Sequence, residues 1–108
     1  MSIRRIDDSF STTGQILPEQ VQAVADAGFR AIVCARPDME EAGQPSFELV
    51  AQQARALGLA VVHIPVSGPL GPNQIQKFGK AMAEMPRPVL GYCRSGMRAG
   101  SLYATLGR

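Results

Sequence analysis

Short apolar runs alternate with amphipathic stretches along this chain. Ala31-Ile32-Val33-Cys34, Ala60 to Pro65 and Val89 to Tyr92 are apolar on both alternating faces, as strands covered on both sides are. Between them, apolar residues recur at spacings of three and four. Pro18 to Ala27 predicts a helix, with Pro18 at its first position, Val21, Val24 and Ala25 as its stripe, and Gly28 as its stop. Phe47 to Leu57 predicts a second helix, entered at Ser46 and closed at Gly58. Pro72 to Met85 predicts a third, with Ile75, Phe78 and Met82 on one face. A short last helix is expected after Arg98, from Ala99 to Leu106. Ile3 to Ile6 or Phe10 to Thr12 would add an edge strand. This order implies an α/β fold: one domain over residues 1–108, with a mainly parallel central sheet and helices on both faces.

In such sheets ligands bind beyond the carboxyl ends of the strands. Three loops gather there: Ala35 to Pro45, Val66 to Gly71, and Cys93 to Arg98. The third carries the strongest chemical signal. A strand delivers Cys93 into a tight turn, Cys93-Arg94-Ser95-Gly96-Met97-Arg98, directly before a helix. The turn can aim backbone N–H groups at one point near a helix N-terminus, where anions are favoured. A thiol placed there ionises more readily than a free one. Cys93 is therefore the candidate nucleophile, and the amides of Arg94, Ser95, Gly96, Met97 and Arg98 are its candidate cradle. Arg98 is the expected planar clamp on a bound anion. Arg94 either greets an anionic substrate or is a solvated surface arginine. Ser95 suits the turn, and Gly96 supplies a backbone angle that other residues resist.

Weaker candidates lie elsewhere. Arg36-Pro37-Asp38, with Glu40 and Glu41, is a charged loop after a buried strand. Arg36 is a candidate anion-binding partner there, and Asp38 a candidate acid, orienting group or plain turn cap. His63 lies inside an apolar strand and reads as a satisfied core or edge histidine. Cys34 reads as a packed structural thiol, with a resolving role in a mixed disulfide as the alternative.

The 108 residues are nearly half hydrophobic, enough for one core, and the net charge of +2 is spread along the chain without the basic block that nucleic acid requires. Two distant cysteines form no disulfide framework and fit a reducing, cytoplasmic setting. Met1 to Asp8 carries charge without an apolar run, so no signal peptide is expected. Prolines and glycines break the longest uncharged stretch, Ala56 to Gln76, so no membrane span is expected. No metal-ligand spacing and no dinucleotide fingerprint occurs, so neither metal nor cofactor is expected.

The segments Gly14-Gln15, Gly28-Phe29, Arg36-Pro37-Asp38, Pro45-Ser46, His63-Ile64-Pro65-Val66, Pro88-Val89-Leu90 and Cys93 to Arg98 resemble a bacterial family. It is known as the beta-lactamase hydrolase-like protein, phosphatase-like domain, and also as a sulfur transferase. The resemblance implies the α/β fold of cysteine phosphatases and rhodanese-like enzymes, with Cys93 as nucleophile and Arg98 as clamp. It also implies partnership with sulfide- or persulfide-oxidising enzymes, to which the family is often fused.

Sequence features favour sulfur transfer over phosphoryl transfer. Four residues separate Cys93 from Arg98, where the cysteine phosphatase signature has five. The loop from Val66 to Gly71 holds no carboxylate, and none occurs between Glu48 and Glu84. Ala99 follows the arginine, where phosphatases place Ser or Thr. The expected activity is thus a sulfurtransferase carrying a Cys93 persulfide. Its donor would be thiosulfate or a low-molecular-weight persulfide, and its acceptor a thiol such as glutathione. A phosphatase using a Cys93 phosphocysteine is the alternative. A non-catalytic domain binding an anion or a partner is the second alternative.

Overall fold

A computed structural model describes residues 1–107. Five strands form one sheet in the order β1-β2-β5-β3-β4. They are β1 (Arg4–Arg5), β2 (Phe10–Thr13), β3 (Ala31–Cys34), β4 (Ala60–His63) and β5 (Val89–Tyr92). Only β1 runs antiparallel to its neighbour. The helices are α1 (Val21–Asp26), α2 (Phe47–Ala56), α3 (Pro72–Glu84) and α4 (Met97–Ala104). The α/β class and the mainly parallel sheet thus match expectation.

Register places the site. Tyr92 at the end of β5 pairs with Thr13 of β2 and Cys34 of β3, and Cys34 pairs with His63 of β4. The four parallel strands therefore end at one level. The last strand in sequence, β5, sits between the first two parallel strands, so the strand order reverses at Cys93. That reversal opens the crevice where such folds bind ligands.

Residue alternation along the strands divides the core. Phe10, Val33, Val89, Cys93, Phe78, Leu102 and Tyr103 pack on the α3 and α4 side. Ile32, Cys34, Leu90, Tyr92, Val21, Val24 and Val50 pack on the α1 and α2 side. Phe10 stacks on Tyr103 at 4.3 Å between centroids and meets Phe78 edge-on at 5.8 Å. Gly91 is required beneath α4: a Cβ there would lie 2.5 Å from Phe10 Cζ and 3.0 Å from Ala99 Cβ.

Several predicted boundaries shift for local reasons. Pro18–Gln20 is a 3-10 turn, tied by the Gln20 side chain to the Leu17 amide at 2.9 Å, and α1 proper starts at Val21. Both candidate edge segments form strands, but β2 is buried between β1 and β5. Strand β4 ends at His63, because Pro65 has no N–H to donate. Pairing continues irregularly from Ile64 N to Cys34 O at 2.8 Å and from Val66 N to Ala35 O at 2.9 Å. The last helix begins at Met97, two residues before its expected start, because Gly96 at φ +92° turns the chain straight into it. Helix α2 keeps its predicted N-cap, with Ser46 Oγ accepting from the Leu49 amide at 3.3 Å.

Candidate active site

Cys93 leaves β5 at the strand-order reversal and lies wholly buried under its own loop. The Gly96 amide donates to its Sγ at 3.0 Å. Burial pushes the thiol pKa up, but backbone N–H groups of Ala99, Ser95, Arg98 and Gly96 outweigh it and hold the thiol below its ordinary value. Ser95, Gly96 and Arg98 are among the expected donors, whereas Ala99 lies one residue beyond the expected set. The Met97 amide turns instead to Ser95 Oγ at 3.4 Å. Gly96 is confined as well as twisted, since a Cβ there would lie 3.3 Å from Thr13 O. Met97 itself is exposed.

Arg98 belongs to the first turn of α4, and its guanidinium points back over the loop. One nitrogen donates to Val66 O at 2.9 Å and to Glu40 Oε2 at 2.7 Å, and the other donates to Glu40 Oε1 at 2.9 Å. Cys93 lies near enough to this guanidinium to help raise its pKa, behind the larger effect of Glu40. The irregular end of β4 therefore serves the site, because it presents Val66 O to the clamp.

Arg36 is buried and fully engaged. Its Nε donates to Glu40 at 2.9 Å, and its terminal nitrogens donate to Gln15 at 2.9 Å and to Glu41 at 2.7 Å. Glu41 in turn faces Arg94 Nε at 3.5 Å. Charges alternate along this line: Arg94, Glu41, Arg36, Glu40, Arg98. All five line one cleft of about 310 Å³. The Arg98 hydrogen bonds, with Arg36 in support, bring the Glu40 pKa from 4.5 to about 2. Cys93, which has no exposed surface, does not line this cleft.

Of the sequence candidates, Cys93, Arg98, Arg94 and Arg36 converge here. Asp38 does not: it is exposed, and its Oδ1 caps α2 by accepting from the Phe47 amide at 2.8 Å. Glu40 and Gln15 were not singled out as site residues. The contact from Glu40 to Arg98 spans most of the chain, and no local spacing rule reports it. His63 stacks on Phe47 at 4.6 Å, and its Nε2 donates to Arg36 O at 2.8 Å, so it braces the charged loop. Cys34 packs on the opposite face of the sheet from Cys93. Burial raises its thiol pKa to about 11, and a disulfide with Cys93 would have to cross the sheet. Among the described residues, no three His, Cys, Asp or Glu side chains are grouped to hold a metal ion. No helix among them is long and apolar enough to cross a membrane.

The family model described as "Beta-lactamase hydrolase-like protein, phosphatase-like domain" matches residues 2–107. A beta-lactamase hydrolase-like protein of Agrobacterium fabrum is 38% identical over 95% of this chain and 24% of its own length. One from Xylella fastidiosa is 37% identical over 96% and 24%. The chain thus spans about a quarter of the length of these curated relatives. A provisionally assigned phosphatase of Neisseria meningitidis superposes with a TM-score of 0.85 at 30% identity, over 95% of this chain and 74% of that one. The core catalytic domain of the PP-IP phosphatase SIW14 from S. cerevisiae has the same fold, with a TM-score of 0.70 at 15% identity over 93% and 60%. These likenesses correct the expectation of sulfur transfer and favour its phosphatase alternative.

Proposed function

Because the chain belongs to the beta-lactamase hydrolase-like protein, phosphatase-like domain family, we propose that it is a cysteine-dependent phosphatase acting through a phosphocysteine at Cys93. The observation that carries this is a buried Cys93 whose Sγ accepts from the Gly96 amide at 3.0 Å, directly before α4, with Arg98 in the first turn of that helix. Preorganised donors of this kind stabilise both a thiolate and the charge that develops on phosphoryl oxygens. In the first step Sγ attacks phosphorus, the S–P bond forms, and the ester P–O bond breaks with its electron pair on the leaving oxygen. Arg98 exchanges Glu40 for phosphoryl oxygens and holds them through its planar fork. In the second step water attacks phosphorus, the S–P bond breaks, inorganic phosphate departs and the thiolate returns.

The test is p-nitrophenyl phosphate with an acid quench. Turnover should come with a phosphoryl adduct on the peptide that contains Cys93, and Cys93→Ser should lose both. Turnover that survives in Cys93→Ser would overturn the proposal.

A further inference from the structure

Expelling an alcohol from phosphorus normally needs a proton on the departing oxygen, and a positioned acid contributes about 10²–10⁴-fold. The carboxylates of this cleft are ion-paired to arginines, and Glu40 keeps Arg36 at 2.9 Å when Arg98 turns to the substrate. Both oxygens of Glu40 accept from Arg98, and one also accepts from Arg36. Glu41 accepts from Arg36 at 2.7 Å and faces Arg94. Asp38 lies outside the cleft, on the α2 amide. His63 spends Nε2 on the Arg36 carbonyl, and its ring stacks on Phe47. The loop over residues 66–71 contains no ionisable side chain. Among the described residues lining the cleft, the ionisable groups are two ion-paired carboxylates and three arginines, which do not give up protons at ordinary pH. A substrate matched to this site carries a leaving group that departs as an anion unaided.

The cleft offers a cation for such a group. Arg36 is buried and holds Gln15, Glu40 and Glu41, and Arg98 is the clamp on the phosphoryl group that Cys93 takes. Arg94 is 69% exposed, and its single ion pair is the 3.5 Å approach to Glu41. It follows Cys93 directly in the chain and lines the same cleft. A phosphate gains negative charge as it departs, so a guanidinium beside it acts more strongly in the transition state than before it.

We infer that the substrates are compact phosphoanhydrides, whose terminal phosphorus is taken by Cys93 and whose departing phosphate is met by Arg94. This rests on the phosphatase proposal above. The bridging P–O bond breaks as S–P forms, and the electron pair stays on the departing phosphate without a proton. Water then releases the second phosphate and gives its proton to solvent.

Inorganic pyrophosphate, p-nitrophenyl phosphate and glycerol 2-phosphate, compared without added metal, test this. Pyrophosphate should exceed glycerol 2-phosphate in kcat/KM by about 100-fold. Arg94→Gln should lower the ratio of pyrophosphate to p-nitrophenyl phosphate kcat/KM by about tenfold. Glycerol 2-phosphate cleaved as well as pyrophosphate would overturn the inference, as would an unchanged ratio in Arg94→Gln. Either result alongside p-nitrophenyl phosphate turnover through Cys93 leaves the phosphatase proposal standing. Failure with all three substrates would remove both.

Discussion

Glu40 grips the Arg98 guanidinium with both carboxylate oxygens, at 2.7 and 2.9 Å, and Cys93 has no exposed surface. We expect the pair to act as a latch on access to Cys93. Glu40→Gln keeps the shape but exchanges an ionic fork for a weaker neutral contact. Alkylation of Cys93 by iodoacetamide should then run several-fold faster at one pH. An unchanged rate would mean that reagents enter by another route.

The same carboxylate sets a stability signature in acid. Its folded-state pKa is about 2 against an ordinary 4.5. Its contribution is complete above about pH 4.5, and it is lost as pH falls through about 2. Denaturant midpoints of the native chain and Glu40→Gln should therefore differ by a constant amount at neutral pH and converge in strong acid. A gap that widens on acidification would contradict the assigned ion pair.

Arg98→Lys keeps the charge and loses the fork. One ammonium cannot keep Val66 O and also fork two phosphoryl oxygens in a plane. Turnover of p-nitrophenyl phosphate should fall about 10²–10³-fold, as when an oxyanion donor is removed. A tenfold loss or less would reduce Arg98 to a neutralising charge.

Gly96→Ala should act through the backbone. At φ +92° any side chain is strained by about 1–3 kcal/mol, and its Cβ would press on Thr13 O. The loop must shift, and the Gly96 amide leaves Sγ. The midpoint of alkylation rate against pH should rise toward that of a free thiol, with a lower melting temperature. An unmoved midpoint would show that the other amides suffice.

Cys34 should be inert while the chain is folded. Its pKa of about 11 and its place across the sheet predict that native alkylation labels Cys93 first. Peptide mapping after brief labelling checks this. Equal labelling would place Cys34 within reach of solvent.

The sequence revealed what local rules govern. The alternation of elements identified the parallel sheet, and the run into Gly96 pointed to Cys93 and Arg98, because strand, turn and helix start are all local events. Register decided the rest. Cys34 reads as a packed structural thiol, and it packs on the α1 and α2 face. Arg36 reads as an anion binder, but it is held by Glu40, Glu41 and Gln15. Asp38 reads as an acid, an orienting group or a turn cap, and only the Phe47 amide shows which: it is a cap. The chemistry was not legible locally: the spacing from Cys93 to Arg98 pointed to sulfur transfer, and likeness over the whole chain to phosphatase relatives corrects it.

The four parallel strands stop at one level, and this has an evolutionary corollary. The Cys93 sulfur is placed by β5 and the start of α4, while Arg36, Glu40 and Glu41 all sit on the segment that follows β3. Grafting that segment from a relative should change the lining of the cleft and leave Cys93 where it is.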